Sequence, residues 1–112
     1  MATTNTFTSY VNKDVGTSAS NVVTVASSTQ TTVIGLAFSN TSASPITASA
    51  YITRSGTDYY LVKGATVPVG SSLVVVGGDQ KVVLITSDTL KVVTSAASSA
   101  DVVTSVLNIV TS

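Results

Sequence analysis

Five aspartates, Asp14, Asp58, Asp79, Asp88 and Asp101, are the only acidic side chains in the chain, and histidine and cysteine are absent. Ser-His-Asp and Cys-His nucleophilic machinery and His- or Cys-ligated zinc are therefore excluded. A Ser-Lys dyad lacks its motif, because no Ser-x-x-Lys occurs. Two aspartates meeting in space would make a glycosidase-like acid–base pair. All five, however, fall in turns or at strand ends, where Asp serves turn hydrogen bonding. Calcium needs only loop oxygens, and Asp58, Asp79 and Asp88 could supply them. No Asp-x-Asp-x-Asp-Gly run exists, and the plainer reading is solitary turn residues. Gly77-Gly78-Asp79-Gln80-Lys81 has the glycines of a phosphate loop but neither the Gly-Lys-Ser/Thr ending nor a following helix, so it reads as a turn between strands. Asn40-Thr41-Ser42 matches a glycosylation acceptor and is likewise read as a turn. No catalytic, cofactor or metal site is expected.

The residues left to do anything are aromatic. Tyr51, Tyr59 and Tyr60 form the one aromatic concentration, and Phe7 and Tyr10 stand near the N-terminus. Adjacent residues of a strand point to opposite faces, so one of Tyr59 and Tyr60 is expected inside and one outside. An exposed tyrosine beside Tyr51 could anchor a protein interface. The five basic residues, Lys13, Arg54, Lys63, Lys81 and Lys91, stand far apart and balance the five acids to a net charge of zero. Binding to nucleic acid by phosphate neutralisation is not expected without a clustered positive surface.

These side chains must be positioned by strands. Of the 112 residues, 44% are apolar, with valine dominant, and only 9% are charged, while Ser and Thr supply a third. Val and Thr are stiff at χ1 and suit a pleated, half-buried surface. Strands and turns alternate every 8–12 residues from residue 21, the rhythm of a sandwich or barrel. Strands are expected over 21–26, 31–39, 46–54, 59–67, 73–76, 81–85, 90–94 and 102–110, with no helix. In 31–39, Ile34, Leu36 and Phe38 share one face. In 46–54, Ile46, Ala48, Ala50 and Ile52 oppose Thr47, Ser49, Tyr51 and Thr53, and the two strands are expected to form a hairpin across the 40–45 turn. Gly64 is placed to bulge its strand, and Pro68-Val69-Gly70 to turn the chain. Leu73–Val76, continuously apolar, reads as buried on both faces. Eight such strands make an all-β antiparallel sandwich of jelly-roll or immunoglobulin-like topology. Residues 1–20 would be an N-terminal arm or first strand and 21–112 the sandwich domain. Neither a signal peptide nor a membrane-spanning helix is expected.

With these residues in view, the chain resembles the small β-sandwich virion structural proteins of tailed bacteriophages, common among cyanophages and other marine phages. The likeness covers residues 15–110. It is carried by Val15-Gly16-Thr17, Val22 to Ala26, Thr32-Val33-Ile34-Gly35-Leu36 ending in Asn40, Ile46 to Ile52, Asp58-Tyr59-Tyr60-Leu61-Val62, the Pro68 to Gly70 turn, Gly78-Asp79-Gln80-Lys81-Val82-Val83-Leu84, and Asp101 to Ile109. Ser87-Asp88 stands where the pattern usually has Gly-Asp. The resemblance implies a non-enzymatic virion protein without cofactor, present in many copies or as a homo-oligomer. Its partners would be the major capsid protein or tail and neck proteins, with no nucleic acid and no membrane. A capsid decoration protein, its arm docked on a neighbour, is the first expectation. A tail, neck, baseplate or fibre component is the alternative. A carbohydrate-binding module would have to use Asp58, Tyr59 and Tyr60. A bacterial surface or pilus-like subunit is a further alternative, with the missing signal peptide counting against it.

Overall fold

The computed structural model describes residues 3–77 and 81–111. Nine strands run β1 (Thr3–Val15), β2 (Ser20–Thr24), β3 (Thr29–Asn40), β4 (Ile46–Arg54), β5 (Thr57–Val67), β6 (Ser72–Val76), β7 (Val82–Leu84), β8 (Thr89–Thr94) and β9 (Ala100–Thr111). One sheet has the order β1-β9-β3-β6, with β7 also on β3, and the other has the order β2-β8-β4-β5. All pairings are antiparallel, and they are nested: β1 with β9, β2 with β8, β3 with β6 and β7, β4 with β5. Two short strands, β6 against the far half of β3 and β7 against its near half, together occupy one sheet position. Eight positions nested in this way are a long hairpin rolled up into two facing sheets, the jelly roll. The strand order thus decides between the two topologies that periodicity left open.

The chemistry of the strands explains the layers. Val33, Leu36 and Phe38 of β3, with Val102 and Val106 of β9, face Ala48, Ala50, Leu90 and Val92 across the interior, all essentially inaccessible. Burying each large side chain there stabilises the fold by about 1.5–3 kcal/mol. The expected hairpin of 31–39 with 46–54 does not form. The 41–45 loop carries the chain from one sheet to the other, and β3 and β4 stack core face to core face. Clean alternation fixes which side of a strand is apolar, but not whether its neighbour lies beside it or opposite it. The two-residue hairpin is instead β4–β5, closed by Ser55-Gly56 with both residues at positive φ, the signature of a type I′ turn.

Irregularities shift the faces. The β3–β9 register slips between Val33 and Gly35, so Ile34 leaves the core row that Val33, Leu36 and Phe38 occupy. Gly64, at φ +68, sits in a break of the β4–β5 ladder, where its amide donates to Ser49 Oγ at 3.0 Å. This is the expected bulge. Gly70, at φ +71, turns the chain as Ser71 N–H donates to Pro68 O at 3.1 Å.

Candidate functional site

Asp58, Asp88 and Asp101 are engaged in hydrogen bonds within the chain. Asp88 is 1% exposed. Its carboxylate accepts from Arg54 Nε at 2.8 Å, Arg54 Nη2 at 2.6 Å and the Ile85 amide at 2.9 Å. Its carbonyl also accepts from the Val25 amide at 2.9 Å. One residue thereby ties the β7–β8 turn to the ends of β2 and β4. The Arg54 hydrogen bonds hold its carboxyl below the usual range, against the opposing effect of burial, and the Ile85 amide assists. Asp58 accepts from the Thr53 hydroxyl at 2.7 Å. Asp101 accepts from the Asp14 amide at 3.1 Å and Lys13 Nζ at 3.3 Å, and that amide first, then Lys13, lowers its pKa. Among the described residues no three acidic side chains gather where a metal could sit. Asp79 and most of the 77–80 turn lie outside the described residues.

Asn40, in the glycosylation-like triplet, is 5% exposed. Its amide donates to the carbonyls of Ser44 and Val67, both at 3.0 Å, while its Oδ1 accepts from the Ser42 amide and hydroxyl. The side chain is the brace of the sheet-to-sheet crossing and is not free for modification.

The five aromatic candidates fall in four places. Tyr51 and Tyr60 are cross-strand partners on the outer face of the second sheet, with ring centroids 4.9 Å apart. Lys63 Nζ lies 4.9 Å from the Tyr60 ring. Burial, then Asp58 and Tyr60, pushes the Tyr51 phenol up. Tyr59 pairs with Ile52 and lines a small recess with Ile52 and Arg54 at the sandwich end. Tyr59 and Tyr60 point to opposite sides, yet both are exposed, at 57% and 46%. The expectation of one buried tyrosine fails because β5 is an edge strand whose first four residues, Thr57 to Tyr60, are exposed on both sides. Tyr59 and Tyr60 therefore present no common platform for a sugar. Tyr10 points between the sheets into a cleft lined also by Val23, Val25, Thr31 and Asn108. Phe7, three residues earlier, points out and is 75% exposed.

Phe7 belongs to a feature that sequence reading missed. On the outer face of the first sheet, two cross-strand rows are apolar but for Thr32 in the second. One runs Val11–Val103–Ala37–Val74. The other runs Phe7–Leu107–Thr32–Val83. Between them lies a row of small residues, Ser9–Ser105–Gly35. Phe7, Val11, Val74, Val83 and Val103 are all strongly exposed. The strands of this sheet carry charge only at one end, where Lys13, Asp14 and Asp101 lie together. The outer face of the second sheet, by contrast, presents Thr47, Ser49, Thr53, Asp58, Thr66 and Lys91. Val74 corrects the reading of 73–76 as buried on both faces: β6 is an edge strand whose outward Val74 is 64% exposed. The unbroken apolar run was the available signal.

No protein-family profile and no curated protein matches this sequence. Solved structures do. A protein of Bacillus endospore appendages, described as a novel family of disulfide-linked pili, superposes with a TM-score of 0.57 at 16% identity, over 98% of this chain and 89% of that one. A chain of the T13 infectious bursal disease virus particle superposes with a TM-score of 0.53 at 12% identity, over 96% of this chain and 35% of that one. A chain of the Gx strain of the same virus gives 0.57 at 15% identity, over 96% and 32%. The chain spans about a third of the viral chains and nearly all of the pilus protein. At these identities the likeness is one of fold.

Proposed function

We propose that the protein is a non-enzymatic structural component of a virion, assembled in many copies, and that it decorates the capsid of a tailed phage. The observation that carries this is the apolar, nearly charge-free outer face of the first sheet. The outward face of an antiparallel sheet is ordinarily polar, and contiguous apolar surface of several hundred Å² marks an interaction site. A scaffold whose Asp58, Asp88 and Asp101 are engaged within the chain and whose broad face is apolar is built to be covered by other protein. The fold it shares with chains of a virus particle agrees with that role. The test is quantitative mass spectrometry of purified particles. Hundreds of copies per particle support decoration, tens or fewer support a tail, neck, baseplate or fibre position, and absence from particles refutes the reading.

One observation favours a second reading. The endospore pilus protein is matched over nearly its whole length, which suits a filament subunit. This chain has no cysteine, so a filament of it would be held without disulfides. Negative-stain microscopy of the concentrated protein separates the two: ordered filaments support this reading, and dispersed particles the first.

A further inference from the structure

We infer that the outer face of the first sheet is covered by a second copy of this chain, in a two-fold, face-to-face dimer that seats Phe7 of each copy in the small-residue row of the other. The inference rests on reading that face as an assembly surface, and it names the occupant.

Three properties of the face point to a second copy. The first is relief. Phe7 and Leu107 form a ridge, and the adjacent row, Ser9, Ser105 and Gly35, forms a trough two residues along each strand. Same-face rows lie about 7 Å apart. A two-fold axis lying in the interface plane, parallel to the two rows and midway between them, carries each ridge onto the opposite trough. The fit is then reciprocal, as a two-fold interface requires. A depression is already present beside Phe7, lined by Ser9, Ile34 and Ser105.

The second property is charge. Across Asn5–Val11, Gln30–Ser39, β6, β7 and Val103–Ile109 no residue is charged, and the Lys13–Asp101 pair at one end is satisfied within the chain at 3.3 Å. A partner of opposite charge would have nothing to recognise, whereas an identical neutral face meets no repulsion.

The third property is area. The charge-free stretches, Asn5–Val11, Val103–Ile109, Gln30–Ser39 and the short β6 and β7, lie on strand positions about 4.8 Å apart at about 3.3 Å per residue, a flat footprint of roughly 500 Å². That is below the roughly 800 Å² per partner of a standard stable interface and matches a weak, reversible pair of about 1,000 Å² in total. The opposite sheet has no comparable surface, because Tyr51 and Tyr60 there are surrounded by Thr53, Asp58, Lys63 and Lys91.

The test is sedimentation velocity on the full chain, with two variants and a control. Phe7→Ser removes the ridge at a site 75% exposed. Gly35→Val fills the trough; its Cβ would meet Ser105 Cβ at an ordinary 3.8 Å, and a β-branched residue suits a strand. Thr66→Lys, outward on the second sheet, is the control. The wild type and Thr66→Lys are expected at twice the 11.3 kDa of one chain. Both face variants are expected to associate at least about tenfold more weakly, a shift of about 1.4 kcal/mol, with unchanged circular dichroism. A wild type that stays monomeric at about 100 µM, where even weak specific pairs associate, overturns the dimer. So do face variants that dimerise as tightly as the wild type. A monomer found on particles would overturn the dimer alone and leave the structural role standing. A dimer absent from particles would do the reverse.

Discussion

Three threonines are buried, and their hydroxyls fare differently. Thr104, at the middle of β9 with no exposed surface, has an Oγ1 with no hydrogen-bond partner among the described residues. Thr31 Oγ1 donates to Asn108 Oδ1 at 2.7 Å. Thr94 Oγ1 lies 2.6 Å from Ser99 Oγ and donates to Ala96 O at 2.9 Å. A buried hydroxyl without a partner costs about 1–3 kcal/mol in lost hydration, whereas a paired one contributes about 1 kcal/mol. Valine has nearly the same shape as threonine and an equal taste for strands. Thr104→Val is therefore expected to stabilise the fold by about 1–2 kcal/mol, relieving that penalty and adding a buried methyl. The melting temperature should rise by about 4 °C per kcal/mol for a domain of this size. The same substitution at Thr31 or Thr94 should cost about 1–2 kcal/mol, since it strands Asn108 Oδ1 or the Ala96 carbonyl. Urea unfolding of all three variants checks this, with constant m-values confirming that only stability has changed. The decisive feature is the opposite sign at chemically identical substitutions. A Thr104→Val protein destabilised like the other two would refute the assignment of a lone hydroxyl.

Two further predictions concern the β7–β8 turn. Asp88 has its carboxyl pKa depressed in the folded chain by Arg54 and the Ile85 amide, so its stabilising effect is complete above the unfolded value near 4 and is lost as pH falls through the lower folded value. Asp101 acts in the same direction. Urea midpoints should therefore fall below about pH 4, and Asp88→Asn should be less stable at pH 7 with a flatter acid limb; a variant that keeps the full wild-type acid slope would dismiss Asp88 as its source. Ser87 takes φ +74, a left-handed conformation costing about 1–2 kcal/mol for a residue with a Cβ. Ser87→Gly should melt at or above the wild-type temperature and Ser87→Val several degrees below, and equal melting of the two would contradict the backbone assignment.

The elements were legible in the sequence because valine and threonine alternate and turn residues punctuate them. Ile46, Ala48, Ala50 and Ile52 face the core as read. What alternation cannot encode is which sheet a strand joins, and the 41–45 loop shows why. Asn40 braces a crossing with the same Asn, Thr, Ser and Pro residues that would close a hairpin. Ile34 leaves the core face that Leu36 and Phe38 keep because the bulge between Val33 and Gly35 breaks the alternation there, and nothing in Val33-Ile34-Gly35 announces it except the glycine. Ser87, by contrast, was identified as standing where glycine is usual, and its φ agrees. Among the candidate site residues, Phe7 was named but its row was not. Its neighbours Leu107, Thr32 and Val83 come from three other strands, and only the register brings them together.

The edges of the two sheets bear on how such a protein would meet its neighbours. β2 has five residues and a register break, β5 is bulged at Gly64, and the β6–β7 edge is two short pieces on one strand. Short or bulged edges are how natural sheets avoid ladder-to-ladder growth. β1 is the long edge, with 13 residues, but its exposed large apolar side chains, Phe7 and Val11, belong to the outer face and not to the edge. A chain with a net charge of zero has little long-range repulsion to keep copies apart. Its contacts are then decided by where apolar area is concentrated, and that area lies flat across the first sheet. Pairing through the face buries four strands' worth of side chains at once, whereas pairing through an edge buries one strand's, so broken edges beside an apolar face direct association to the face.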